Sequence, residues 1–132
     1  MSLLTDKNIL IVGVANKHSI ASGIASSMSK YGANLAFTYQ NERFKRKVKS
    51  LAKEWNSDIC LPCDVSNDDE INGVFSELEN VWDGVDCIVH AAATKIVPTA
   101  EYNPFECIKT NVNGAMNVIE VAIEQHVKKI VA

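Results

Sequence analysis

Apolar positions along this chain follow two periods that alternate. Short β-rich runs occupy Asn8 to Gly13, Asn34 to Tyr39, Asp58 to Cys63, Val85 to Ala91 and Lys128 to Ala132, and each is of strand length. Between them the apolar spacing changes to steps of three and four, the period of a helix with one buried stripe. Ile20, Ile24, Met28 and Tyr31 predict the first stripe, and Phe44, Val48, Leu51 and Trp55 the second. Ile71, Phe75, Leu78 and Trp82 predict a third. Phe105, Ile108, Val112, Ala115, Ile119 and Ala122 predict a long fourth helix with this set as its buried face. Helix starts agree: Ser66 precedes Asp69 by three, and Asn103-Pro104 with Glu106 supplies an N-cap, a proline at the first helical position and a box partner.

The resulting order, βαβαβαβαβ, implies right-handed crossovers and a parallel sheet covered on both faces. The expected fold is α/β, a three-layer Rossmann-type arrangement with a five-stranded parallel sheet in the order 3-2-1-4-5. No repeat, low-complexity tract or linker interrupts residues 1–132, which are expected to form one domain.

Composition narrows the ligand class. A 47% hydrophobic chain of 132 residues can bury a core, and a net charge of -3 with mixed signs gives no reason to expect nucleic acid or a membrane surface. No apolar run reaches bilayer length and Met1 to Lys7 lack the apolar stretch of a signal peptide, so a cytoplasmic protein is expected. Cys60, Cys63, Cys87 and Cys107 are scattered within apolar segments, which predicts reduced thiols and neither a disulfide framework nor a metal site. Cys60-Leu-Pro-Cys63 has redox spacing, but on a strand residues three apart point to opposite faces, which favours two small buried hydrophobes.

In a sheet of this order ligands bind at the carboxyl ends of the strands, where the order reverses. The loop after the first strand, Gly13 to Gly23, is built of small residues and leads into a helix N-terminus, which suits a pyrophosphate. It is not GxGxxG, and the same residues also suit an ordinary turn with Ser19 as N-cap. His18 in that loop reads as solvent-facing. After the second strand, where a carboxylate would normally meet ribose hydroxyls, stand neutral Gln40 and then Arg43, Lys45 and Arg46. This leaves NAD and NADP both open, and the cations read equally well as the wet face of the second helix.

Gly13-x-Ala15, Ser19-Ile20-Ala21, Gly23, Ala36-Phe37-Thr38-Tyr39-Gln40-Asn41 and Cys63-Asp64-Val65 resemble the bacterial NADH-dependent enoyl-acyl-carrier-protein reductases of the short-chain dehydrogenase/reductase superfamily. The resemblance runs from about Ser2 to His90. It implies that Gly13, Ala15, Ser19 and Ile20 surround the pyrophosphate and its ribose, that Gln40 lies beside the adenosine ribose, and that Asp64 and Val65 clasp the adenine. Where such a reductase continues with Ser-Ile-Gly, this chain reads Ala91-Ala92-Ala93-Thr94-Lys95. Residues 91–132 instead resemble nucleotide-sugar dehydratases and epimerases of the extended branch, which implies that Ala91, Ala92 and Ala93 pass the nicotinamide-side ribose and that Asn111 sits near the active site. A join of two branches in or beside the fourth strand, as in an engineered chimera, accounts for the change.

Both families carry a catalytic tyrosine and lysine on the helix after the fifth strand, beyond the residues of this sequence, so no catalytic residue is assigned. Tyr102 and Lys109 have the right spacing, yet Pro104 starts a helix between them one crossover too early. The expected function is NADH or NAD binding without complete catalytic machinery. A purely structural chimera without ligand and an active enoyl reductase are the alternatives. A homodimer through strand five or helix four is expected from apolar surface there.

Overall fold

The computed structural model describes residues 3–14, 19–91 and 112–131. In chain order these form β1 (Asn8–Val12), α1 (Ile20–Lys30), β2 (Asn34–Tyr39), α2 (Glu42–Glu54), β3 (Cys60–Pro62), α3 (Asp68–Glu79), β4 (Cys87–His90), α4 (Gly114–Glu124) and β5 (Lys129–Val131). The strands pair in parallel in the order β3-β2-β1-β4-β5, the order that the periodicity predicts. Several strands are shorter than their apolar runs, because backbone pairing ends before the apolar residues do.

Side-chain alternation divides the sheet into two cores. Ile9, Ile11, Leu35, Phe37, Tyr39 and Val89 pack under α1 and α2 with Ala25, Val48 and Leu51. Leu10, Val12, Ala36 and Ile88 pack on the other side against Ile71, Val74, Phe75 and Leu78 of α3 and Val118, Val121 and Ala122 of α4. Covering both faces is why the strands read as continuous apolar runs in the sequence.

Two predicted helix faces need correction. On α1, Ile20 and Tyr31 are exposed, and the sheet is met instead by Ala21, Ser22 and Ala25, small residues that let the helix sit close. On α4, Ile119 is exposed, as is Val112 just before the helix, while Gly114, Val118, Val121 and Ala122 are buried. That helix is apolar nearly all round, so a three-four spacing selects two stripes equally well, and the smaller residues make the closer contact. Phe105, Ile108, the Asn103-Pro104 start and Cys107 lie outside the described residues.

The start of α3 also shifts by one residue. Both the amide and the hydroxyl of Ser66 donate to Asp64 Oδ1, at 3.0 and 2.7 Å, so the cap passes to Asn67, whose Oδ1 accepts from the Asp69 amide at 3.0 Å. At the amino end of the sheet a polar clasp joins three strands. Asn8 N donates to Asp86 Oδ2 at 2.8 Å, Asn8 Nδ2 to Gly84 O at 2.9 Å, and Asn34 Nδ2 to Asn8 Oδ1 at 3.0 Å.

Cys60 and Cys63 join opposite cores, as the strand reading requires. Burial, and after it the carboxylates of Glu70 and Asp64, push the Cys63 thiol from 9.0 up to about 12. The unfolded chain therefore sheds this proton first on going alkaline, and the stability present below pH 9 is lost as pH rises toward 12. Cys63→Val should flatten that part of the stability profile, measured by urea unfolding between these limits. An unchanged slope would contradict the assignment.

Candidate functional site

The order reverses at β1, whose neighbours β2 and β4 belong to crossovers running in opposite directions. At that point β1 and β4 end level, with Val12 opposite His90, and β2 runs one residue further, past Thr38 opposite Val12 to Tyr39. Gly13 follows with φ 104°, a conformation that favours glycine. The Ala91 amide donates to Val12 O at 2.8 Å, which holds the chain leaving β4 against the end of β1. Gly13 and Ala91 are thus neighbours across the crevice.

Helix α1 begins at the same level. Ser19 caps it, its Oγ accepting from Ser22 N at 3.2 Å and lying 3.0 Å from Ser22 Oγ. Ile20, the first helical residue, is exposed. The partial positive charge of such a terminus suits an anionic pyrophosphate.

After β2, Gln40 is exposed and Asn41 caps α2, accepting from Arg43 N at 3.0 Å. Lys45 lies 3.7 Å from Glu42, both side chains well exposed, and the Arg43 guanidinium lies 5.8 Å over the Phe44 ring. These cations have contacts on their own helix, in keeping with a solvated face; the exposed ion pair contributes little.

The loop after β3 is tied on both sides by described residues. The Asp64 amide donates to Glu70 Oε1 at 3.2 Å, tying the loop to α3. Val65 is buried, and its carbonyl accepts from Asn117 Nδ2 of α4 at 3.0 Å. Gly114 closes the contact: a Cβ there would lie 2.6 Å from Val65 Cγ2. A carboxylate has accepting capacity beyond the two Ser66 bonds, so Asp64 can still receive an N–H from a purine.

The sequence reading missed Gly114, Asn117 and His90 as parts of this region. Asn117 within an apolar helix was a visible signal, a polar group that needs a partner. His90 ends β4 with Nδ1 buried and without a hydrogen-bond partner, and burial lowers its pKa from the ordinary 6.5. Neutral imidazole is its form near neutral pH.

The predicted residues thus fall into two groups. Gly13, Ser19, Ile20, Gln40, Asp64, Val65 and Ala91 all stand at carboxyl ends of strands or at the helix start beside them. Ala15, Ala92, Ala93 and Asn111 lie outside the described residues, as do His18, Tyr102 and Lys109, to which no site role was given. Burial raises the pKa of Cys60, against the pull of Lys49 and Lys45, and that of Cys87. No described thiol is therefore primed as a thiolate. Among the described residues no cluster of three His, Cys, Asp or Glu can hold a metal, and no helix is long and apolar enough to cross a membrane.

A positive-φ glycine turn, a capped helix start, an exposed amide after β2, an acidic loop after β3 and an orphaned imidazole nitrogen at the end of β4 fit a dinucleotide laid across the strand ends. They define a Rossmann domain of the short-chain dehydrogenase/reductase class. Residues 13–130 match the enoyl-(acyl carrier protein) reductase family, and the chain belongs to it.

Among curated relatives, the enoyl-[acyl-carrier-protein] reductase [NADH] FabI of Haemophilus influenzae is 50% identical over 93 residues, covering 70% of this chain and 36% of its own length. The corresponding Aquifex aeolicus protein is 46% identical over 93 residues, covering 70% and 34%. The chain thus spans about a third of the length of these relatives. The crystal structure of the Aquifex aeolicus enzyme superposes with a TM-score of 0.84 at 34% identity, covering 93% of this chain and 56% of that one. A reductase from Anaplasma phagocytophilum, solved in complex with NAD, superposes at 0.83 with 30% identity, covering 94% and 50%.

Proposed function

We propose that this chain is a dinucleotide-holding Rossmann domain that binds NADH or NAD, with the adenosine half held more firmly than the nicotinamide half. The observation that carries the reading is the Asp64-Val65 loop, fixed by α3 on one side and α4 on the other beside the point where strand order reverses. The named relatives are NADH-dependent, which supports the choice of cofactor. When bound, NADH would supply a hydride, and the chain's own residues would bind and orient it. Gly13 lets the backbone approach the pyrophosphate, Ser19 and the start of α1 face its charge, Gln40 borders the adenosine ribose, and Asp64 and Val65 take the adenine. Ala15, Ala91, Ala92, Ala93 and Asn111 complete the nicotinamide side in this reading.

Binding without turnover is the companion proposal. In this reading the chain acts as a single domain in the cytoplasm. Titration with NADH, NADPH and AMP tests it: AMP should compete, and Asp64→Ala should weaken NADH by about 1 kcal/mol, roughly fivefold. If neither AMP nor NADH perturbs the protein at millimolar concentration, the proposal is wrong. Turnover of an enoyl thioester by this chain would refute the companion claim.

A second reading concerns the origin of residues 91–132. Identity to the Aquifex aeolicus reductase drops from 46% over 93 residues to 34% when the superposition extends to 93% of the chain. The family match runs through residues 13–130, across β4, so the proposed join of two branches rests on the change of motif at Ala91.

The proposed assembly is a homodimer through α4, with β5 at its flank. Val112, Met116, Ile119 and Ile123 are 50%, 54%, 45% and 69% exposed and follow a four-three-four spacing, the seam along which two helices interlock. Sedimentation at micromolar concentration should show a dimer that Ile119→Lys dissociates. A species near the 14.5 kDa chain mass for the unmodified protein would exclude it.

A further inference from the structure

Among the described residues, Nδ1 of His90 is the buried side-chain nitrogen or oxygen that lacks a hydrogen-bond partner. Such an atom loses its bonds to water on folding and gains nothing in return, so a native chain that keeps one has a use for it or completes it with a ligand. Its backbone is fixed by the sheet. His90 shares a face of β4 with Ile88, stands opposite Val12, and is followed by the Ala91 amide bonded to Val12 O at 2.8 Å. Ile88 and Val12 belong to the core that also contains Val65. His90 therefore stands at the carboxyl end of β4, on the side of the sheet covered by α3 and α4, where the strand order reverses.

The charged groups around it leave it alone. On elements packed against β4 these are Asp86 and Lys129 toward the amino end, Asp64 and Glu70 beside the β3 loop, and Glu120 and Glu124 on α4. Burial is what lowers the imidazole's pKa from 6.5. An apolar side chain of similar size would suit the ligand-free protein better, which marks the histidine as kept for something absent from it.

We propose that His90 is a positioning residue for the dinucleotide, its neutral Nδ1 accepting a hydrogen bond from a ribose hydroxyl of the bound cofactor. The inference rests on the NADH-binding reading above. It assigns a role in holding the cofactor to a strand residue rather than to the loops on either side. Protonation removes the acceptor, so affinity should fall as pH drops through the imidazole range.

The test is calorimetric titration of the whole chain with NAD across that range, for the unmodified protein and for His90→Leu and His90→Gln, with thermal unfolding of each ligand-free protein. His90→Leu should melt at the same temperature or higher yet bind NAD about fivefold or more weakly. His90→Gln, which retains an acceptor oxygen, should bind near the unmodified value and lose the pH dependence. The ¹⁵N resonance of Nδ1 in the unmodified protein should move on saturation with NAD, a readout independent of any variant.

If the unmodified protein binds NAD while His90→Leu binds equally well, or while the Nδ1 resonance stays fixed, the inference falls and the function stands. Unfolding of His90→Leu would mark the imidazole as a structural element and also overturn it. Absence of NAD binding by the unmodified protein overturns both.

Discussion

Phe37→Ala is expected to lower the free energy of unfolding by about 3–5 kcal/mol, the range for deleting a buried aromatic ring. Phe37 is fully buried in β2 and its ring lies 5.4 Å from that of Trp55, just past the end of α2. The pair fastens the helix whose other end follows Gln40. Against a domain stability of roughly 5–15 kcal/mol, the loss would leave a marginal protein. Urea unfolding followed by tryptophan fluorescence measures it directly, since Trp55 reports on the contact being removed. A loss under about 1 kcal/mol would show that the cavity closes by movement of α2.

Gly114→Ala should destabilise by about 1–3 kcal/mol, the usual cost of overpacking. On helix propensity alone alanine should stabilise the position, by about 1 kcal/mol, so the two arguments predict opposite signs. Geometry decides between them. The new Cβ would stand 2.6 Å from Val65 Cγ2 and 3.3 Å from Val65 Cβ, and a β-branched side chain has few rotamers into which to retreat. Either α4 or the β3 loop must move, and the Asn117 bond to Val65 O spans that same contact. Dinucleotide affinity should therefore fall together with the melting temperature. A rise in melting temperature would mean that the contact is looser than the distances state.

The sheet and its strand order were legible in the sequence because parallel strands buried on both faces write unbroken apolar runs, and the intervening helices write three-four steps. The loops that follow the first two strands, with Gly13 and Gln40, could be singled out for the same topological reason, whereas Asp64 and Val65 were named through the resemblance to the reductases. What could not be read was which of two apolar stripes faces inward. Val112 and Ile119 look as buried in the sequence as Val118 and Val121, and the choice is made by close approach at Gly114, a tertiary matter. The cap of α3 was misplaced because Ser66 and Asn67 are both good caps, and Asp64 binding Ser66 settles it. His90 was read only as the residue where a resemblance ends, since an orphaned nitrogen is a property of surroundings and leaves no mark on spacing.

The amino-end clasp of Asn8, Asn34, Asp86 and Gly84 lies at the opposite end of the strands from Gly13, Asp64 and Val65 and, among the described residues, shares no hydrogen-bond partner with them. Changes at sites without shared partners tend to add independently. The frame can thus hold strand register while the rim is rewritten, and one rim segment can be exchanged for a relative's without unsettling the rest. At the β3 loop, an exchanged segment would have to keep the close fit of Val65 against Gly114, the contact that couples this part of the rim to α4.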